Sequence, residues 1–417
     1  MNRNQRIIKN FQDYNLFLSS LNIRNQEVAT SIKMMYAIHM ETNTNKGFFF
    51  IGKQVLRFIM KFFSIPFVVG ELAYDKKHSK DIIISNTSIE NLMAKELNIA
   101  LIDIRISIRL NKNANKIYKE LFLLLTQYIK NKNLKKKNIL LLLHRVIDYL
   151  IVYHTVDMNI FRTLLVENDR DPKNLALIHN ANTIGIKTIK YDNWLIDPVN
   201  HNDVYCQYYF YPSRYHRMII ERCETNAKLK YIEGGFASWD KLNEYKIKSI
   251  IKMQRLIYFT QFNIDINHHM QYIEDIVKIL ESIGESYILS VKVHPREEIS
   301  KYEKVLNISP YIELIDKCDD IYELISSAKY CFSIFSTISI EAKHIIKDSY
   351  FINYYTKDSP LVDYIEIGLD IVENKEQLKN ILSGTFSAVD QNIFIENNNC
   401  RYPNTLNRLQ EILNEDR

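Results

Sequence analysis

The chain has 417 residues, 47% of them apolar and 25% charged, with a formal net charge of +5. That length accommodates two α/β domains with separate cores, and so small a basic excess excludes the concentrated basic face of a typical nucleic-acid binder. Cys206, Cys223, Cys318, Cys331 and Cys400 are dispersed without a CxxC pair, Met1 to Arg6 carries no signal-peptide core, and no uninterrupted apolar run has membrane-span length; together these lead us to expect reduced thiols in a cytoplasmic protein.

Gly47 to Gly70 is rich in Phe and Ile, with Lys53, Arg57 and Lys61 at four-residue spacing. On one helix those cations form a basic stripe against an apolar remainder. This suits an in-plane helix on an anionic membrane surface, with a core helix bearing a basic ridge as the alternative. Asp81 to Ser85 reads as a strand, Ile89 to Leu97 as a helix and Ala100 to Ile104 as a strand. Ile117 to Ile129 and Ile139 to Tyr153 read as helices. Arg162 to Val166 is a buried-type strand that runs into Glu167-Asn168-Asp169-Arg170-Asp171-Pro172, followed by a helix to Thr183, Gly185 and a strand over Ile186 to Tyr191. Tyr205 to Tyr215 is Tyr-rich and suits either sugar stacking or a core.

From Leu256 the pattern is regular. Strands are predicted at Leu256 to Phe262, Tyr287 to Val293, Ile312 to Ile315, Tyr330 to Phe335 and Tyr350 to Tyr354. Helices are predicted at His269 to Ile283 with Gly284 as C-cap, from Glu297, at Asp319 to Ala328, at Thr337 to Ile346 and at Lys375 to Leu382. Strands alternating with helices imply βαβ units and parallel sheets. The expected fold class is α/β, a GT-B chain of two Rossmann-like domains facing a central cleft. Residues 1–245 form the first domain and 246–390 the second, and 391–417 cross back to the first.

Three segments carry chemistry. In Val291-Lys292-Val293-His294-Pro295-Arg296-Glu297 the imidazole of His294 stands at the carboxyl end of a strand, where open parallel sheets bind ligands, and Pro295 fixes the turn. A His so placed donates a proton or a charged hydrogen bond to a leaving phosphate. Ser336 and Thr337 lie where the next motif passes from strand to helix. Free amides and the helix dipole favour an anion there, unless the hydroxyls merely cap the helix. Glu341 is one turn on, in reach of ribose hydroxyls. After the first-half strand, Asp169 is the first candidate for a general base and Glu167 the second. Asp171 reads as an N-cap ahead of Pro172, and Asp169-Arg170-Asp171 as a metal-binding DxD is set aside. The pair Gly234-Gly235 permits φ > 0 and close approach to a ligand, or a turn into the linker. Thr260 and Gln261, at the end of the first strand of the second half, complete the donor-binding set. Tyr191 to Asn202, with Trp194, is a candidate lining for an acceptor.

At these residues the chain resembles bacterial GT-B sialyltransferases and polysialyltransferases, with acidic, His-Pro and Ser-Thr motifs. His294-Pro295 matches the second and Ser336-Thr337 the third, while Glu167-Asn168-Asp169 lacks the usual acidic pair followed by Gly. The resemblance covers roughly Leu165 to Tyr355. It implies inverting transfer of a nonulosonic acid from a CMP-activated donor to an oligosaccharide or glycolipid acceptor, with no metal cofactor and no nucleic acid. The expected location is cytoplasmic, with the Gly47 to Gly70 helix as the contact to the inner membrane's cytoplasmic face. His-Pro motifs also occur in CDP-glycerol, CDP-ribitol and Kdo transferases, and a non-catalytic glycan-binding envelope-assembly protein is a third reading.

Overall fold

The computed structural model describes residues 48–415 except 75–78, 85–87, 131–138, 170, 193–203, 224–227, 241, 243, 246–254, 263, 285, 347, 357–369 and 387–404. The chain divides into two units. One takes in residues up to Pro212, His216–Gly234 and Leu406–Arg417; the other takes in Ser213–Tyr215 and Gly235–Thr405. The division between Gly234 and Gly235 precedes Tyr245, where sequence alone placed it.

The first unit begins with helix α1 (Phe48–Ser64), which a 3₁₀ turn at Ile65–Phe67 links to strand β1 (Val68–Tyr74). The expected helical run to Gly70 stops early for a local reason: Pro66 biases the residue before it away from helical ψ, and the β-branched residues beyond it continue as strand. Then follow β2 (Asp81–Ile84), α2 (Ser88–Glu96), β3 (Ala100–Ile108), α3 (Ala114–Lys130), α4 (Ile139–Thr155), β4 (Thr163–Val166), α5 (Pro172–Thr183), β5 (Lys187–Tyr191), β6 (Tyr208–Tyr211), α6 (Arg214–Cys223) and β7 (Lys230–Glu233). Their sheet runs β1-β3-β2-β4-β5-β6-β7. Every pairing in it is parallel except that β1 runs antiparallel to β3 along one edge. β2 and β4 are buried throughout, as central parallel strands covered on both faces must be. The Tyr-rich run is core material: Tyr209 and Phe210 are fully buried in β6.

The second unit contains β8 (Arg255–Phe259), α7 (Ile266–Ile283), β9 (Ile288–Lys292), a 3₁₀ helix at Ile299–Asn307, β10 (Ile312–Ile315), α8 (Ile321–Ser326), β11 (Tyr330–Ser333), α9 (Ile338–Ile345), β12 (Ser349–Ile352), β13 (Ile371–Val372) and α10 (Lys375–Leu382). Its sheet is wholly parallel, in the order β10-β9-β8-β11-β12-β13. Tyr258, Leu289, Val291 and Phe332 form its core with Tyr272 and Ile276 of α7. Gly284 ends α7 in the left-handed region at φ 72°, where a side chain would be strained. Asp320 caps α8 by accepting from the Tyr322 and Glu323 amides.

The last helix, α11 (Thr405–Asn414), returns almost wholly to the first unit. There the carbonyls of Leu413 and Ile412 accept from Arg162 and Lys187. Two Rossmann-like α/β units with this return make up the GT-B element order.

One expectation is corrected in α1. Lys61 does not stand in an exposed basic stripe, because its ammonium turns inward to an ion pair with Asp148 on α4. Arg57 is exposed, and the Lys53 side chain lies outside the described residues.

Candidate functional site

In the second unit the chain builds β9 and β10 on one side of β8 and β11 to β13 on the other. The connections leaving β8 and β11 diverge, which opens a crevice at their carboxyl ends. Thr260 and Gln261 follow β8, and Phe335 to Thr337 follow β11. Gln261 ties the two lips together, its side-chain oxygen accepting from the Phe335 amide at 2.9 Å.

His294 is held by a chain of hydrogen bonds. Its amide donates to Thr260 Oγ1 at 2.8 Å. That hydroxyl donates to Glu297 Oε2 at 2.6 Å, and the Tyr302 hydroxyl donates to Glu297 Oε1 at 2.9 Å. The Arg296 amide donates to His294 Nδ1 at 3.1 Å. Since Nδ1 accepts, the proton of the neutral ring sits on Nε2. Burial lowers the imidazole pKa; Arg296 and Lys292 add to this, and Glu297 opposes it. His294 is therefore a neutral Nε2–H donor at ordinary pH, since protonating Nδ1 would break the Arg296 bond.

Ser336 is positioned from beneath. Its amide donates to Ser333 Oγ at 3.2 Å, and that hydroxyl bonds Ser339 Oγ at 2.7 Å, with both inner serines fully buried. Thr337 precedes α9 with helical φ/ψ of −57°/−25°, and its side chain does not cap the helix. The Ser339 and Ile340 amides donate to the Ser336 and Thr337 carbonyls, which leaves the Thr337 and Ile338 amides as the donors that attract an anion.

Thr260, His294, Pro295 and Ser336 line one cavity of about 730 Å³, together with the buried Lys292 and, at its exposed rim, Asp316, Lys317 and Asp319. Lys292 was not among the sequence candidates. Its ammonium is buried and donates only to the Val293 and Asp316 carbonyls, both at 2.8 Å. Among the described residues no carboxylate pairs with it. A buried cation without a counter-charge is costly, and an anion in the cavity supplies that charge. A lysine ending an otherwise apolar, buried parallel strand was the available signal.

Gln261 and Thr337 flank the cavity in sequence but are not among its lining residues, and the expectations for Glu341 and the glycine pair change. Glu341 is not among the cavity's lining residues. It accepts from the Tyr322 hydroxyl at 2.9 Å and from the Trp239 side chain, and burial pushes its carboxyl up to about 7. Neither Gly234 nor Gly235 has positive φ. Their close approach is to the protein's own side chains: a Cβ on Gly234 would lie 2.0 Å from the Phe210 ring, and one on Gly235 would lie 2.5 Å from Thr405 Oγ1. The candidate acceptor lining at Trp194 lies outside the described residues.

The first unit has its own switch point between β2 and β4, and the acidic motif leaves β4 there. Lys190 of β5 is buried and donates to the Glu167 carbonyl at 3.0 Å and Asp169 Oδ1 at 3.1 Å, and it pairs with Asp192 Oδ1 at 3.1 Å. Tyr209 donates to Asp192 Oδ2 at 2.6 Å. Among the described residues, Asp169 Oδ2 is buried with no hydrogen-bond partner. Asp171 accepts from the Lys173 amide at 2.9 Å and caps α5. Asp169 and Asp171 thus turn to different partners and do not form a shared DxD site.

A two-unit α/β protein with an anion-attracting cavity at the second unit's switch point is the class that fold and site define. No family model and no curated protein matches the chain. Solved structures do match it. One is a UDP-GlcNAc 2-epimerase from Methanocaldococcus jannaschii in complex with UDP-GlcNAc and UDP, 16% identical over 80% of this chain and 99% of that one, TM-score 0.47. Another is a UDP-forming trehalose-phosphate synthase from Burkholderia xenovorans, 9% identical over 81% and 98%, TM-score 0.42. A third is the wall teichoic acid polymerase TagF, 12% identical over 89% and 98%, TM-score 0.39. At these scores none of the three lends this chain a substrate or a residue role.

Proposed function

We propose that the chain is an inverting glycosyltransferase that moves a nonulosonic acid from a CMP-activated donor to a glycan hydroxyl. The observation that carries this reading is the convergence of Lys292, the His294 Nε2–H, Ser336 and the uncapped start of α9 around one cavity. All are hydrogen-bond donors or positive ends, and such a set takes a phosphate.

In the reaction, a carboxylate takes the acceptor hydroxyl proton. The oxygen bonds to the anomeric carbon as that carbon's bond to the phosphate oxygen breaks, and CMP leaves with the electron pair. A single displacement inverts the anomeric centre. Lys292 and the neutral His294 stabilise the developing phosphate charge as fixed donors. Asp169 is the base of first choice: Lys190 donates to its Oδ1, and Oδ2 retains a lone pair that nothing in the described protein uses. Glu167 stands second. The acceptor is an oligosaccharide or glycolipid presented on the cytoplasmic side of the membrane.

Calorimetry with CMP and CDP, followed by a donor screen read by product mass, tests this. CMP binding and a product heavier by one nonulosonic acid support it. Preferential CDP binding with a glycerol-phosphate product overturns it in favour of the phosphotransferase. Binding of neither nucleotide leaves only the non-catalytic glycan-binding reading.

A further inference from the structure

The first unit exposes apolar side chains that a water-facing helix would bury. On α1, Leu56, Ile59, Met60 and Phe63 are 43% to 69% exposed. Their spacing places them on one face of the helix, within about 100° of arc. The opposite face is the packed one: Phe62 meets the Tyr118 ring of α3 at 5.0 Å, and Lys61 pairs with Asp148 of α4. The apolar surface continues past α1. Phe67 is 58% exposed, and its carbonyl accepts from the Arg109 amide, which lies between Ile108 and Leu110, exposed by 88% and 75%. On α3, one turn beyond Tyr118, Phe122 is also exposed.

Charge identifies the occupant. Lys61, Arg105 and Arg109 are paired with Asp148, Asp103 and Glu71, whereas Arg57 on α1 and Lys112, Lys116 and Lys119 around the start of α3 are exposed cations with no ion pair among the described residues. Hydrogen bonds from the Arg109 and Asn111 amides to Phe67 and Pro66 join the segments that follow α1 and precede α3. A second copy would present the same cations, and residues 1–46 carry six Lys and Arg against three Asp and Glu, so neither is a charge complement. Apolar side chains amid cations suit the headgroup boundary of an anionic bilayer.

We propose that this face of α1, the β3 end and α3 is a docking surface for an anionic phospholipid bilayer, with the helix lying in the membrane plane and the apolar residues inserted. It extends the reading that the acceptor is presented at a membrane, but it makes no use of the transfer chemistry, so either can fail alone.

The full chain is sedimented with vesicles of phosphatidylcholine and with vesicles of phosphatidylcholine mixed with phosphatidylglycerol. Partitioning to the mixed vesicles should be roughly tenfold stronger or more, since each cation near the surface contributes several-fold. Met60→Ser with Phe63→Ser should abolish binding, and Lys112→Glu with Lys116→Glu should remove the preference for the anionic lipid. All four are surface positions, so folding should persist, and far-ultraviolet circular dichroism and thermal melts of the same variants check it. Unchanged vesicle binding in both variants, or no binding by the wild type, overturns the proposal. A wild-type dimer that Met60→Ser with Phe63→Ser dissociates also overturns it, because a second copy would then cover the face.

Discussion

Lys190 and Lys292 sit in similar places and answer to different partners. Each lies near the carboxyl end of a buried parallel strand, β5 or β9, beside the strand at its unit's switch point, β4 or β8. Lys190 has two carboxylates, Asp169 and Asp192, at 3.1 Å. Lys292 has two backbone carbonyls at 2.8 Å. The first ammonium is over-neutralised by its own protein, and the second waits for charge from outside. The same residue type at the same topological position thus marks a closed network in one unit and an anion site in the other. The carboxylate census, more than the lysine, tells the two apart.

The largest effect expected in the second unit is on turnover. His294→Ala should lower it by about 10²–10³-fold, the loss on removing one fixed donor to transition-state charge, while the fold persists, since the ring is half-buried at a cavity. Because the neutral ring is the active form, turnover should hold as pH falls to the unperturbed His range near 6.5 and drop only below it. A rate that instead rises with imidazolium, peaking on the acid side, would show that His294 acts as a general acid.

Exchanging each lysine for methionine tests the comparison directly. Lys190→Met leaves Asp169 and Asp192 buried without their cation and should destabilise the protein by about 3–5 kcal/mol. Lys292→Met should leave stability unchanged or raised, yet weaken CMP binding by the roughly 1.5–3 kcal/mol of a hydrogen bond to a charged group. Denaturant melts and calorimetry on both variants read the two quantities. Equal stability losses would mean that Lys292 is as structural as Lys190.

The same contrast explains what was legible in advance. In the second unit, apolar strands with short connections put every predicted strand within a few residues of its place, and Ile312–Ile315 and Lys375–Leu382 fall where expected. That His294 and Ser336 line the cavity was legible because strand ends in a parallel sheet are where such crevices open. Lys292 was passed over because abundant lysine in this sequence masks one significant residue. In the first unit, β1 was hidden in a Phe-rich run whose helical pattern is real up to Ser64 and whose turn at Pro66 interrupts it. β6 and β7 were missed because tyrosine serves core and sugar face alike. Gly234 and Gly235 were read for backbone freedom, when their contacts are with Phe210 and Thr405; sequence does not show which atoms approach a missing Cβ.

Acid sensitivity should also distinguish the units. His179 of α5 is buried with Nδ1 2.8 Å from the Tyr149 hydroxyl, and burial lowers its pKa to about 4. The unfolded chain takes up that proton near 6.5. As pH falls from 6.5 towards 4, protons bind the unfolded state first, so stability is lost over that window, by roughly 1–3 kcal/mol. His269 of α7 makes the matching contact with Tyr258 at 2.8 Å, and its pKa is also lowered, though a Gln261 hydrogen bond opposes the shift. His179→Gln should therefore flatten the acid limb of a stability–pH curve more than His269→Gln does. Equal flattening would show that the first unit holds no special acid sensitivity.

The smallest stability effect lies in the acidic motif, whose two aspartates divide between fold and chemistry. Asp171 accepts from the Lys173 amide ahead of Pro172, which makes it a helix cap; Asp171→Ala should cost about 0.5–2 kcal/mol and leave turnover per folded molecule unchanged. Asp169 faces Lys190 instead. In Asp169→Asn an amide replaces the carboxylate, so the residue can no longer take the acceptor proton, while nothing at the CMP cavity changes. Transfer should then be lost with CMP affinity intact. Asn also leaves Lys190 one carboxylate, Asp192, so the fold should survive the change. Two residues apart, one aspartate is thus expected to appear only in a melt and the other only in an assay. An active Asp169→Asn enzyme would pass the role of base to Glu167, whose backbone carbonyl already holds Lys190 at 3.0 Å and whose carboxylate leaves the same strand end.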